Sequence, residues 1–192
     1  MKASLWREHI APFVIMIALL ALATLAGDYF LHLLNLVWIG RYLGILGILI
    51  IIGSLSYSLR KRNIIAIGNT KTFLTMHQYG GWFGSWLVLL HSGVHFNALL
   101  PWLATGAMAV NVISGLVGKF LLASSRQHVQ GEKTLLEQQK LTSVEIKDRL
   151  AKDTFILKVI AKWRKVHIPI FIAFAALASG HIISIFLFWG WK

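Results

Sequence analysis

The sequence predicts an all-α integral membrane bundle of five transmembrane helices, and three observations carry that prediction. Hydrophobic residues make up 57% of the 192 positions and charged residues only 14%, a balance foreign to a water-solvated globule. Apolar runs at 11–33, 39–59, 72–97, 102–123 and 166–191 each reach the roughly 20 residues a helix needs to cross a bilayer. The basic residues are gathered in patches between those runs, as in the loops of membrane proteins, so the net charge of +12 does not point to nucleic acid.

The N-terminal residues Met1 to Glu8 are short and basic, and the run that follows is too long for a signal-peptide core, so it is expected to stay as the first span. Asp28, Tyr29, His32 and Asn35 mark its far end, and a short hairpin leads into the second span, which closes at Arg60-Lys61-Arg62. Gly44, Gly47 and Gly53 in that span are expected to let neighbouring helices approach closely. The third span, 72–97, turns tightly through Asn97 to Pro101 into the fourth, where Ser114, Gly115 and Gly118 form a small face for packing. Residues 124–165 then carry Glu132, Glu137, Glu145, Asp148 and Asp153, five of the seven acidic residues, so this segment is placed in water. Its Thr142-Ser-Val-Glu145 fits a capping box. Ile146, Leu150 and Leu157 suggest one amphipathic helix on the membrane surface, with Trp163 beside it, docking on anionic lipid headgroups or a cytoplasmic partner.

Grouping the N-terminus, the 60–71 loop and the 119–165 segment on one side leaves only Arg41 and Lys192 on the other. The positive-inside tendency makes the rich side cytoplasmic, with the C-terminus outside, as expected in a prokaryotic inner membrane. The third and fifth spans are then parallel.

Two histidine pairs stand out on those parallel spans. His77 and His91 lie fourteen residues apart, and so do His167 and His181, with almost only apolar residues between. Fourteen helical residues rise about 21 Å and stop about 40° short of four turns, so both members of a pair face nearly the same way. Depth matches His77 with His167 near the cytoplasmic face and His91 with His181 near the outer face. Each matched pair offers the two axial imidazoles of one b-type haem, giving two haems between the third and fifth helices. The chain has no Cys, which excludes covalent attachment through C-x-x-C-H and leaves His or oxygen as metal ligands. Gly80 and Gly84 are expected to leave room for a flat macrocycle. His95 competes with His91 but would put the haem levels out of step. Arg41 outside, and Lys71, Lys165, Arg60, Arg62 or Arg164 inside, are candidates to meet haem propionates. Asp28, His32 and His95 are candidates for a quinone site at the outer face, and His9 and His128 are expected to be solvated.

The stretches H-Q-Y-G-G-W-F-G-S-W-L-V-L-L-H and H-I-P-I-F-I-A-F-A-A-L-A-S-G-H resemble the di-haem core of ferric-reductase-like transmembrane proteins and NADPH oxidases, over roughly residues 70–190. A similar four-histidine scheme occurs in cytochrome b of quinol-oxidising bc complexes and in membrane subunits of respiratory oxidoreductases. The resemblance implies that His77, His91, His167 and His181 are the haem ligands. The oxidases and eukaryotic reductases continue through a sixth helix into a flavin and nicotinamide domain, which these 192 residues do not include. The expectation is therefore an anchor subunit of a respiratory or photosynthetic complex. It would carry electrons between a quinone pool and a c-type cytochrome, iron–sulfur protein or flavoprotein. The alternatives are a metal-reductase component working with a separate flavoprotein, and a non-redox scaffold or proton-relaying transporter.

Overall fold

The computed structural model describes residues 10–93 and 98–189. These residues are all-helical, without a strand among them: α1 (Ala11–Leu33), α2 (Val37–Ser54), α3 (Ser56–Lys61), α4 (Thr70–Ser92), α5 (Leu99–Leu116), α6 (Ala123–Gln138), α7 (Ser143–Arg149), α8 (Ala151–Ala161) and α9 (Trp163–Ser184). Six residues of π-helix, Val117–Leu122, join α5 to α6, and a second π segment, Ile185–Trp189, extends α9.

Four helical stretches are both long and apolar enough to cross a membrane: Ala11–Leu33, Val37–Lys61, Leu99–Gln138 and Lys165–Phe188. The helix α4 has the length, 23 residues, but is not among the four. Its two histidines, Gln78, Tyr79 and glycines dilute the leucines of its second half.

Local chemistry sets the helix ends. At α1, Asn35 takes φ +54°, Leu36 N–H reaches back to Leu31 O (2.8 Å) and Asn35 N–H to His32 O (3.1 Å). This is a Schellman stop, with Asn bearing the left-handed position at small cost. Asn63 repeats the arrangement after α3. The Arg60 guanidinium then donates to Gly68 O (2.9 Å) and Ile65 O (3.1 Å), tying the loop that leads into α4. Asn69 starts α4 by accepting from Lys71 N–H at 2.9 Å.

The chain divides into two compact units, one of Met1–Met16 with Ile113–Ile168, the other of Ile17–Val112 with Pro169–Lys192. In the second, α4 touches every helix around it. Leu90 packs where Gly27 of α1 lacks a side chain, Ser92 Oγ meets Thr105 Oγ1 of α5 at 3.0 Å, and Val88 and Leu89 join a core of Ile51, Met108 and Phe174 drawn from α2, α5 and α9. The α2–α4 contact is closest at Gly47 and Gly84. A Cβ on Gly47 would stand 2.7 Å from Gly84 O, and one on Gly84 2.9 Å from Gly47 O. Of the three glycines read as packing positions in α2, Gly47 lies at that seam and Gly44 against His91, whereas Gly53 has nothing within 4 Å.

In the first unit the segment after residue 123 is not one amphipathic helix but three. Ile146 and Leu150 do not form a free face; they are buried against Leu136, with Leu141 packed on the cluster. That small core takes up Ile146 and Leu150, two of the three apolar residues that the sequence assigns to a surface; Leu157 is not in it. Trp163 is likewise turned inward, its ring over Gly118. The capping box at α7 is present. Thr142 N–H and Oγ–H donate to Glu145 Oε2 at 2.8 and 2.7 Å, and Glu145 N–H faces Thr142 Oγ1. These bonds hold the Glu145 carboxyl below its ordinary value.

Two outcomes follow from this packing. Gly47→Val forces the α2–α4 backbones apart and is expected to cost about 1–3 kcal/mol, the usual scale of overpacking, whereas Gly53→Ala should be neutral or stabilising. Thermal unfolding of both variants in detergent separates these cases. Because folding depresses the Glu145 value, its contribution to the α7 start is complete above the unfolded carboxylate range and is lost as pH falls through the folded value. NMR shifts of residues 143–149 should therefore show α7 fraying in acid, and Glu145→Gln, which keeps the box, should remove that acid dependence.

Candidate functional site

His77 and His91 project from α4, and both are held by α2. His91 Nδ1 lies 3.0 Å from Gly40 O and His77 Nδ1 lies 3.2 Å from Ser54 O. A carbonyl only accepts, so in each ring Nδ1 carries the hydrogen and Nε2 keeps its lone pair. The two holds share one register. Along the antiparallel pair, Gly40 faces His91, Gly47 faces Gly84 and Ser54 faces His77, each step being seven residues on both helices. Seven residues are nearly two full turns, which keeps one stripe of each helix at the seam.

Further contacts fix each ring. A Cβ on Gly44 would stand 2.5 Å from His91 Cγ, so that glycine is the seat of the imidazole. Tyr57 stacks on His77 with ring centroids 5.6 Å apart and planes 25° apart. The Ser54 hydroxyl donates to Ile51 O at 2.7 Å and lies 3.4 Å from His77 Nδ1.

On the other side of His91 stands His181 of α9, with ring centroids 6.4 Å apart and planes 53° apart. Two imidazoles bonded to opposite sides of one metal ion at about 2.0–2.1 Å, each ring centre lying about 1.1 Å behind its nitrogen, have centroids about 6.2–6.4 Å apart. The spacing matches. Among the described residues, no group of three or more His, Cys, Asp or Glu converges.

The remaining site candidates are distributed as follows. His167 belongs to the first unit, where its Nδ1 lies 2.6 Å from Ser114 Oγ and Trp163 meets its ring edge-on at 4.9 Å. Gly80 and Gly84 face α2, against Ser54, Ile50, Ile51 and Gly47, so the space they leave is filled by that helix rather than kept for a macrocycle. Arg41 is exposed and follows Gly40 in α2. Lys71, in the first turn of α4, and Lys165, two residues before His167, are also exposed. Arg60 is engaged by the loop carbonyls. Asp28 and His32 pair within α1, His32 Nδ1–H donating to Asp28 O at 2.9 Å with Asp28 Oδ1 at 3.7 Å. His128 approaches Asp153 at 4.0 Å, a contact rather than plain solvation. His95 and His9 lie outside the described residues.

Sequence reasoning finds no role for Gly40, Ser54 and Tyr57 and marks Gly44 and Ser114 only as packing positions, yet all five contact the imidazoles. Their one visible signal is that Gly40, Gly47 and Ser54 repeat the seven-residue steps of His91, Gly84 and His77 in reverse. No family model matches the chain, and comparison with characterised proteins and with solved structures gives no significant match. The helices themselves define the class: an all-helical integral membrane protein with four stretches long and apolar enough to span.

Proposed function

We propose that this chain is a di-haem b-type cytochrome of a prokaryotic inner membrane, with α4 serving as a fifth span and the N-terminus cytoplasmic. Its role is to carry electrons across the bilayer as a subunit of a respiratory or photosynthetic oxidoreductase. The observation that carries the reading is the His91–His181 pair, with centroids 6.4 Å apart and His91 Nδ1 committed to Gly40 O. Ligating histidines characteristically give their other ring N–H to a carbonyl or carboxylate, which fixes the tautomer that ligates through Nε2. The second pair, His77 with His167, rests on the repeated fourteen-residue spacing.

Bound on such pairs, haem supplies a one-electron couple whose potential follows from its axial ligands and surroundings. The chain's own part is placement. The helix α4 sets the two levels about 21 Å apart, the spacing of fourteen helical residues, and α2 keeps both rings in one tautomer. Arg41 shares the outer level with Gly40 and is suited to a propionate, as are Lys71 and Lys165 at the inner level. Asp28 and His32, with His95, provide polar groups in the outer half where a quinone head would exchange protons. Quinone and a redox subunit, whether c-type cytochrome, iron–sulfur protein or flavoprotein, are the partners this role needs.

Purified protein extracted into acidified organic solvent should release two haems per chain, and a content near zero rejects the reading. Substitution of His91 or His181 by Ala should remove one haem and leave the other, and Gly44→Ala should weaken that same haem by displacing the His91 ring. His95→Ala should spare both reduced b-type bands; loss of a haem there, with His91→Ala silent, transfers the outer ligand to His95.

A further inference from the structure

In the unit of Met1–Met16 and Ile113–Ile168, the end of α5 and the start of α9 build a cradle around His167. Ser114 Oγ lies 2.6 Å from its Nδ1, and a Cβ on Gly115 would come within 3.7 Å of its Cε1. Trp163, one turn before His167 on α9, meets the imidazole edge-on at 4.9 Å. The indole can lie there because residue 118 is glycine: a Cβ would stand 2.5 Å from Trp163 Cζ2. The small face Ser114, Gly115, Gly118 is thus shaped to one histidine and its neighbouring tryptophan. His77 and His91 take their Nδ1 holds from backbone carbonyls, but the hold on His167 is a side chain.

We propose that Ser114 is the positioning residue of His167: its hydroxyl accepts the Nδ1–H, fixes the tautomer whose Nε2 faces iron, and raises the electron donation of that imidazole. The proposal rests on the reading of His167 as a haem ligand. The hydroxyl is well suited to this task because its single hydrogen can turn away, leaving lone pairs for the imidazole. Partners of this kind are worth about 10–100-fold in affinity for the bound metal centre. They also stabilise the ferric state, since an imidazole that shares its N–H is the stronger donor. Ser114 is therefore a point where one side chain sets the potential of one haem without touching iron.

The test compares Ser114→Ala and Ser114→Thr with the unaltered chain in lipid nanodiscs, reading haem retention against a scavenging apoprotein, the midpoint potential of each b-type band, and the low-spin ferric electron paramagnetic resonance signals. Ser114→Ala should loosen one haem about 10–100-fold, raise its potential and shift its signal, leaving the other haem unchanged, and Ser114→Thr should restore all three. If Ser114→Ala matches the unaltered chain, or if Thr is as impaired as Ala, the hydroxyl has no such role and the proposal is overturned. Haem missing from the unaltered chain, or both haems surviving His167→Ala, overturns the ligand reading itself. Two haems, a required His167 and an indifferent Ser114 reject only the present inference.

Discussion

The contact on which the rest depends is the meeting of Gly47 with Gly84. Each residue's carbonyl occupies the space a partner Cβ would need, so the α2 and α4 backbones meet closely there. In a bilayer, lipid is as apolar as leucine, and such close approach supplies dispersion and short polar contacts in place of a hydrophobic drive. The consequence reaches two turns in either direction. The bonds from His91 to Gly40 O and from His77 to Ser54 O are 3.0 and 3.2 Å long, and separating the helices by half an ångström or more at that seam would carry both past useful hydrogen-bond length. Two histidines in an apolar helix are tolerable because the neighbouring backbone takes one N–H from each.

The same seam runs along α4, the least lipid-like of the long helices. It touches α1, α2, α5 and α9 through Leu90, Gly84, Ser92 and the Val88–Leu89 pair. Ser85, 3% exposed, is carried inside these contacts, whereas Met76, Tyr79 and Phe83 of the same helix are exposed. The histidines do not by themselves set this difference: α9 carries His167 and His181 and is still apolar enough to span.

Much of the fold was legible because apolar length and turn chemistry are local. The first run, 11–33, coincides with α1, and the Thr142–Glu145 box starts α7 where its residues predict. The amphipathic segment was misread because periodicity reports that a residue is to be covered and not by what. Ile146 and Leu150 are covered by Leu136, four residues before a Lys140 turn that reverses the chain with φ +56°. The α2–α4 register was hidden for a different reason. Its marks on α2 are two glycines and a serine, which carry no chemistry of their own. The irregular stretch through Leu55, α3 and the Arg60-tied loop gives no simple offset by which to slide one helix along the other. The histidine spacing was visible, and what holds the rings was not.

A fixed tautomer separates a ligand from a proton relay. A relay histidine must gain a proton on one nitrogen and release one from the other, then turn or re-tautomerise before the next cycle. A ring whose Nδ1–H is bound to a backbone carbonyl is poorly suited to that cycle, because the carbonyl has no proton to give and release would break the bond. A ligand needs the opposite: one tautomer held without interruption and one lone pair in a fixed direction. His91 meets that condition at Gly40, with Gly44 cut away to seat the ring and His181 at a spacing that suits a shared metal centre. His32 meets the first half only, since its carbonyl partner is Asp28 of its own helix, with the Asp28 carboxylate 3.7 Å away. The physical division is therefore between histidines held by a second helix, where rigidity favours ligation, and one whose hold comes from its own helix.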